Sequence, residues 1–334
     1  MKKLSKKMMI SLLTFALVFI ALGVSTFAWF TLADSASLND LEINVSLGEG
    51  LDISLDGTNY QSNLTKEDIA RKIGNIKLTD CTSTDGISIK DIKGGSVTDY
   101  ISLTIYFRAA GINDTKAATN GVGIYLSDYN DEAVYNEESE QKGTFVVSDG
   151  VTLNPSTAYR ANANDQTLTS TALEYFAANA IRVSFVQNGT LTAFYDFNSE
   201  EGRNYNDGFL TTANSKDAEG LYGAASYYYA KQNTNIGKGT ALPEGIINDH
   251  NSFTEFEHED SAKVAKSNSS LICNLTKGNS QIIGQEEIYY YGSVTINIWL
   301  EGWDTDCFNV ILKDFVMAQF HFVLGYKHIE ENQE

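Results

Sequence analysis

From Asn39 onward, apolar and polar residues alternate along much of the chain. Because successive side chains of a β-strand point to opposite faces of the sheet, this period of two predicts half-buried strands. The same alternation places His321, which stands between two phenylalanines, on the exposed face of its strand. The alternating runs are Leu41–Leu47, Leu51–Leu55, Ile101–Phe107, Val122–Leu126, Ile181–Phe185, Val294–Leu300 and Phe320–Leu324.

Turn and helix signals lie between these runs. Asn188-Gly189 is a strong two-residue hairpin signal, since both residues tolerate the positive φ that such a turn requires. Gly48–Gly50 predicts a further turn. Thr65 is suited to cap a helix that extends to about Ile73, and Thr171–Ala180 predicts a second short helix. Antiparallel strands with few helices indicate an all-β fold, an antiparallel β-sandwich with short helices.

One long stretch interrupts the alternation. Phe197–Gln285 is rich in Asn, Ser, Gly and Lys, and only Leu221–Tyr229 and Ser270–Leu275 in it have the pattern of ordered segments. Because a structureless loop of this length is uncommon in a compact domain, we expect an insertion with its own short strands or a decorated edge of the sandwich. The sandwich is therefore expected over residues 39–326, with the insertion at about 197–285 and a polar tail at 327–334.

The N-terminus has the pattern of an export signal. Residues 1–28 contain four lysines and no acid, and the lysines precede the uncharged, strongly apolar stretch Met8–Phe30. The small residues around Ala28 predict cleavage between Ala28 and Trp29, with Ala33 and Ala36 as alternative sites. An uncleaved membrane anchor is the other interpretation, because about 20 apolar residues can span a bilayer.

The composition excludes some classes of partner. The chain has 334 residues, with 43 Asp and Glu against 24 Lys and Arg, and a formal net charge of -19. Such an acidic protein repels phosphate backbones, so nucleic acid is not an expected partner. Acidic subunits also repel one another, so we expect any self-assembly to depend on ionic strength or divalent cations.

Motifs for catalysis and cofactor binding are missing from the sequence. It contains no HExxH, no GxSxG, no P-loop and no GxGxxG after a strand, so no enzymatic activity and no cofactor are predicted. The acidic segments Asp196–Glu200, Tyr129–Glu140 and Glu255–Asp260 are interpreted as solvated loops. A cation site is the weaker alternative for each, and calcium is the candidate ion for the first two. In the first, Glu201 stands where an EF-hand needs glycine.

The three cysteines, Cys81, Cys273 and Cys307, are too few for a disulfide scaffold. Spacing alone leaves open whether any two of them pair in an extracellular protein. No CxxC spacing is present, so a structural zinc site is not expected.

Several short segments together resemble one known group of proteins. The most specific is the block Trp299-x-Glu301-Gly302-Trp303-Asp304-x-Asp306-Cys307. The chain resembles the TasA/camelysin-type biofilm-matrix fibre proteins of Gram-positive bacteria and their relatives, which are secreted with a SipW-type signal peptidase. The other segments that resemble this group are Thr26–Thr31, Leu78–Gly86, Tyr100–Arg108 and Ala180–Phe185.

This resemblance implies a secreted, extracellular, jelly-roll β-sandwich subunit of the cell surface or biofilm matrix. It also implies polymerisation by donor-strand complementation, in which residues 29–38, freed by cleavage, complete the sheet of the next subunit. Camelysin-type proteins have been called metallopeptidases. Because this chain lacks HExxH, we do not predict that activity for it. The apolar residues of the donor segment are Trp29, Phe30, Leu32 and Leu38.

The residues of the resembling blocks also have a structural interpretation. Strand alternation directs Ile298 and Leu300 to the core and Trp299 to the other face. Gly302 permits a bend, and Glu301, Asp304 and Asp306 are then acids of the turn that holds Trp303 and Cys307.

Two arginines lie within apolar strands. Arg108 and Arg182 each need a carboxylate partner if they are buried, and Glu301 and Asp304 are the candidates.

The leading hypothesis is therefore a secreted structural subunit that associates with itself and meets a signal peptidase during export. A membrane contact is expected only through the N-terminal segment, if it is not cleaved. The alternative is a surface adhesin or carbohydrate-binding module, with Tyr227–Tyr229 or Tyr289–Tyr291 as a candidate aromatic platform.

Overall fold

This computed structural model describes residues 40–74, 77–91, 95–128, 143–161, 169–197, 223–224, 226–227, 250–259, 262–278 and 288–329. The predictions for the signal peptide, its cleavage between Ala28 and Trp29, and the donor segment fall on residues 1–39 and lie outside the described residues. The elements are β1 (Asp40–Leu47), β2 (Leu51–Ser54), α1 (Lys66–Ile73), β3 (Asp80–Thr82), β4 (Lys90–Asp91), β5 (Ile101–Ala109), α2 (Asp114–Asn120), β6 (Val122–Leu126), β7 (Phe145–Ser148), β8 (Val151–Leu153), β9 (Leu173–Tyr175), α3 (Ala177–Ala180), β10 (Ile181–Gln187), β11 (Thr190–Tyr195), β12 (Phe256–Glu259), β13 (Ala262–Ala265), β14 (Leu271–Lys277), β15 (Tyr290–Glu301), a 3-10 helix (Asn309–Lys313) and β16 (Phe315–Tyr326).

Fourteen of the described strands form one curled sheet that folds over into two layers, while β8 and β9 pair separately. In the first layer, named the β16 layer, β16 pairs with β1, β6, β7 and β13. In the second, the β15 layer, β15 pairs with β3, β5 and β10. Strand β14 joins the layers, because it pairs with β6 and also with β15. The all-β sandwich predicted from the alternation is confirmed.

The core lies between the two layers. Phe107 on β5 meets Phe322 on β16 edge-to-face at 5.2 Å between ring centroids, and Phe185 on β10 meets Phe320 at 5.9 Å. All four rings are fully buried, as expected from their alternate positions in the sequence.

Two features of the topology pair strands that are distant in the sequence, and the alternation does not predict them. The turn at Gly48–Gly50 does not close a hairpin: β1 pairs with β16, whereas β2 pairs with β5 in the other layer. The turn therefore carries the chain across the sandwich. The pairings β1–β16, β3–β15 and β13–β16 are parallel, so the sandwich is antiparallel only in the main.

The prediction for His321 is wrong. Its side chain alternates away from the core, but it is only 4% exposed, and its Nδ1 lies 2.8 Å from the hydroxyl of Ser46 on β1. Gln319, on the same face of β16, is also buried and donates from its amide to the carbonyl oxygen of Gly143 at 2.7 Å. This face of the strand is polar and covered, and sequence alternation alone does not distinguish it from an exposed face.

The predicted hairpin and first helix are present. Strands β10 and β11 flank Asn188 and Gly189, whose φ angles are 52° and 77°. The side chain of Thr65 caps α1 by accepting from the amide of Asp68. The second predicted helix is mostly wrong, because Thr171–Ala180 contains strand β9 and only the four-residue helix α3.

The end of the stretch predicted as an insertion belongs to the sandwich. Strands β12, β13 and β14 all lie before Gln285, and β14 is the strand that connects the two layers. Among the described residues, no helix combines the length and the hydrophobicity needed to cross a bilayer.

Candidate functional site

The Trp299–Cys307 block forms the end of β15 and the turn that follows it. Ile298 and Leu300 enter the core as predicted, and Trp299 points to the opposite face. That face is also covered at this end of the β15 layer, because Trp299 packs with Cys81, Ile89 and Phe194 in a second, smaller apolar cluster. The block therefore lies between two packed regions.

Arg182 is the centre of a buried group of charges beside this block. Its guanidinium contacts the carboxylate of Asp304 through Nη2 and lies 3.1 Å from Asp196. Nη1 donates to the carbonyl oxygen of Asn179 at 2.8 Å. Asp304 is one of the two predicted partners of Arg182, and this pairing is confirmed. Asp196 is a second partner that the sequence does not predict.

Glu301 is also fully buried, and it orders the turn. One carboxylate oxygen accepts from the indole Nε1 of Trp299 at 3.1 Å, and the other accepts from the backbone amide of Trp303 at 3.2 Å. Burial raises the pKa of Glu301 to about 7, although Arg182 and these hydrogen bonds act in the opposite direction. Glu301 can therefore take up or release a proton near neutral pH.

Hydrogen bonds within the turn hold the remaining acids. The amide of Asp306 donates to Asp304 at 2.8 Å, and the side-chain amide of Asn179 donates to Asp306 at 2.7 Å. The amide of Gly302 donates to the carbonyl oxygen of Cys81 at 2.7 Å and so ties the turn to β3. Of the three acids predicted for the turn, Asp304 and Asp306 do lie in it, whereas Glu301 is the last residue of β15; all three are buried.

The cysteines are not paired with one another. Cys81, Cys273 and Cys307 are all free thiols. Burial raises the pKa of Cys81 and Cys273 to about 12, and it raises the pKa of Cys307, whose sulfur donates to Asp80, well above its ordinary value. Thiols in this state are poor nucleophiles.

A distant segment packs on the turn. The amide of Ala224 donates to the carbonyl oxygen of Thr305 at 2.7 Å, and Gly223 lies against the same carbonyl with φ at +61°. The ring of Tyr227 meets Tyr159 at 5.3 Å and Phe308 at 5.9 Å. Tyr227 is thus half-buried in a local aromatic cluster, and Tyr228 and Tyr229 of the candidate platform lie outside the described residues.

Arg108 lies elsewhere, and its predicted pairing with Glu301 or Asp304 is wrong. Its guanidinium instead binds Asp52 on the neighbouring strand β2, with nitrogen–oxygen distances of 2.6 and 3.1 Å. Strand β2 puts Asp52 directly opposite Arg108 in the register. The two predicted arginines therefore belong to two separate sites, one buried and one at the surface.

Within the described residues, no group of three or more His, Cys, Asp and Glu side chains is arranged to hold a metal ion. Asp196, which begins the weak calcium candidate, points to Arg182 and is buried in that ion pair. Tyr129–Glu140 lies outside the described residues. The third segment, Glu255–Asp260, was interpreted as a solvated loop, and this is wrong because Phe256–Glu259 form strand β12.

On one side of the sandwich, named the open side, no strand closes the described part of the sheet, although helix α1 packs there. Strand β14 closes the side where β6 and β15 meet, whereas the opposite side is bounded by β1 and β5. Over the described residues, the outer edge of β1 pairs with no strand, and neither does the outer edge of Ile101–Ile105 in β5. Helix α1 contacts both strands and buries Ile69 there.

No protein-family model matches the chain, and neither a curated protein nor a solved structure matches it.

Proposed function

We propose that this protein is a secreted structural subunit, of the cell surface or of a biofilm matrix, that assembles by donor-strand complementation and is not an enzyme. The observation that carries the proposal is the open side of the sandwich, where β1 and half of β5 pair with no further strand in the described part of the chain and helix α1 packs against both. An unpaired strand edge carries a row of free amide and carbonyl groups that can accept another strand.

The order of the chain supports this mode of assembly. Residues 29–38 come immediately before β1, so the predicted donor segment is joined to a strand at the open side. Ten extended residues span about 33 Å, which is enough to pair along an eight-residue strand such as β1. The segment carries one charged residue, Asp34, so little charge opposes the burial of its apolar side chains.

The acidic composition gives the proposed assembly a recognisable salt dependence. Cleavage after Ala28 would remove four lysines, so the net charge of the subunit would change from -19 to -23, and such subunits repel one another at low ionic strength. Added salt or divalent cations screen this repulsion, so filaments are expected to form more readily as ionic strength rises towards physiological values.

Deleting residues 29–38 from the exported chain tests the proposal. The shortened protein should remain folded by circular dichroism and should form no filaments in electron microscopy or sedimentation, whereas the chain that begins at Trp29 forms them. Deletion of residues 330–334 is the matched control and should leave assembly unchanged. Filaments that persist after the first deletion would show that the donor-strand proposal is wrong.

A finer test uses single residues. Leu32→Lys places a charge where an apolar side chain is proposed to enter the neighbouring sheet, and Thr31→Ser changes the adjacent position conservatively. We expect only the first change to prevent assembly. Equal assembly of both variants would argue against insertion of this segment.

A further inference from the structure

The outer face of the β15 layer carries a group of tyrosines around Arg108. The guanidinium carbon of Arg108 lies 4.9 Å from the ring centroid of Tyr60 and 5.1 Å from that of Tyr289. Tyr291 completes the group, with ring centroids 6.0 Å from Tyr60 and 6.4 Å from Tyr289. All three rings are half-buried, so part of each remains open to solvent. We name Tyr60, Tyr289 and Tyr291 the tyrosine platform.

The platform is held rigidly by three adjacent strands. Asp52 on β2 fixes the guanidinium of Arg108 on β5, and Arg108 is directly opposite Tyr291 on β15. Because the ion pair and the ring contacts order these side chains before any ligand arrives, binding would lose little side-chain entropy.

A strip of uncharged polar side chains continues from the platform along the same face. Thr104 and Thr295 share a hydrogen bond of 3.0 Å across β5 and β15, and Ser102 donates to Asn297 at 2.9 Å. Asn297 is only 4% exposed, so Ser102, Thr104 and Thr295 are the members of the strip that reach solvent. From Tyr289 to Thr295 the chain rises about 20 Å, so the platform and these three residues form an elongated surface and not a single point of contact.

This surface carries few charges although the protein is strongly acidic. Arg108 is compensated by Asp52, the carboxylate of Asp56 acts on Tyr60 from nearby, and the exposed part of the polar strip offers hydroxyl groups. Tyrosine rings accept the apolar C–H faces of sugar rings, and hydroxyl and amide side chains exchange hydrogen bonds with sugar hydroxyls, directly or through water. A strip of serine and threonine hydroxyls is poorly suited to a dry protein–protein interface.

We propose that this face binds a neutral carbohydrate chain, with the tyrosine platform stacking on sugar rings and Ser102, Thr104 and Thr295 bonding to their hydroxyls. The site lies on the outer face of one layer, whereas the proposed donor strand adds at an edge. Binding and assembly are therefore separable properties.

The test uses an array of neutral oligosaccharides built from glucose, mannose, galactose and N-acetylglucosamine, probed with the full exported chain. At least one class should bind, and Tyr291→Ala and Tyr60→Ala should each weaken that binding at least tenfold. Phe315→Ala is the matched control, since Phe315 is an exposed aromatic residue on the β16 layer. Thermal unfolding of each variant verifies that the fold is intact.

Three results would overturn the proposal. One is that no oligosaccharide on the array binds, and another is that binding survives unchanged in both tyrosine variants. The third is that Tyr291→Ala alters sedimentation of the protein without any glycan effect, which would assign the face to contact between copies. The double variant Thr104→Val with Thr295→Val is a second test, because it removes two hydroxyls of the polar strip without changing the platform and should weaken binding severalfold.

Discussion

Arg182 on β10 and Asp304 in the turn after β15 form an ion pair in which the side chains are 0% and 2% exposed. Removing two charges from water is costly, so such a pair adds little net stability beyond what packed apolar residues would give. Removing one partner lowers the stability strongly, because the remaining charge stays buried without a counter-charge. The pair therefore fixes the position of the turn relative to β10.

Replacing Arg182 should destabilise the fold strongly. In Arg182→Met the carboxylates of Asp304 and Asp196 lose their counter-charge, and we expect the free energy of unfolding to fall by about 3–5 kcal/mol in urea titration. Arg108→Met is the control, since that pair with Asp52 is about 30% exposed and should cost about 1 kcal/mol or less. Equal effects of the two changes would contradict the buried-charge explanation.

Stability should decrease as the pH rises through neutrality. Burial raises the pKa of Glu301 to about 7 and that of Asp80 to about 6, well above the values of about 4 in an unfolded chain. The folded state therefore holds protons that the unfolded state releases, so this contribution is complete below about pH 4 and is lost as the pH passes 6 to 7.

The measurement is the free energy of unfolding between pH 5 and pH 8. It should fall with pH in the wild-type chain and fall less in Glu301→Gln, by an amount on the order of 3 kcal/mol. Glu67→Gln, an exposed change on α1, should keep the wild-type slope. A slope that is identical in all three proteins would show that Glu301 does not titrate in this range.

Gly223 should not tolerate a side chain. It has φ at +61°, and an added Cβ would overlap the carbonyl oxygen of Thr305. Gly223→Ala should therefore release the segment around Tyr227 from the turn and make it more susceptible to limited proteolysis. Gly74→Ala shares the positive φ, at +72°, but has no heavy atom within 4 Å, so it should show only the backbone cost of about 1 kcal/mol.

The three thiols should be present but slow to react. Because burial raises the pKa of Cys81 and Cys273 to about 12, little thiolate exists at pH 8. Titration of the native protein with dithionitrobenzoate should be slow, and three thiols per chain should react rapidly after unfolding in guanidinium. Detection of only one reactive thiol in the unfolded protein would reveal a disulfide and contradict the free state of the cysteines.

The partners of Arg182 in the buried charge site could be predicted only in part from the sequence. The hairpin of β10 and β11 was predictable from Asn188-Gly189, but a regular register would place Tyr195 opposite Arg182. A β-bulge at Phe185 and Val186 shifts the pairing, so that Val183 faces Tyr195 and Asp196 comes to the level of Arg182. The local sequence pattern does not predict this bulge, yet the bulge determines which acid reaches the guanidinium of Arg182.

The sequence by itself determined the strands, the Asn188-Gly189 turn, the capped helix that begins after Thr65, and the need of Arg182 for an acid. Each follows from local geometry, since strand period, turn angles and cap hydrogen bonds involve residues a few positions apart. Only the tertiary structure decided that His321 is buried beside Ser46, that Arg108 binds Asp52, and that β1 lies parallel to β16. His321 and Ser46 are 275 positions apart in the sequence, and Arg108 and Asp52 are 56 apart. Alternation predicts which residues share a face of a strand, but it does not predict what covers that face.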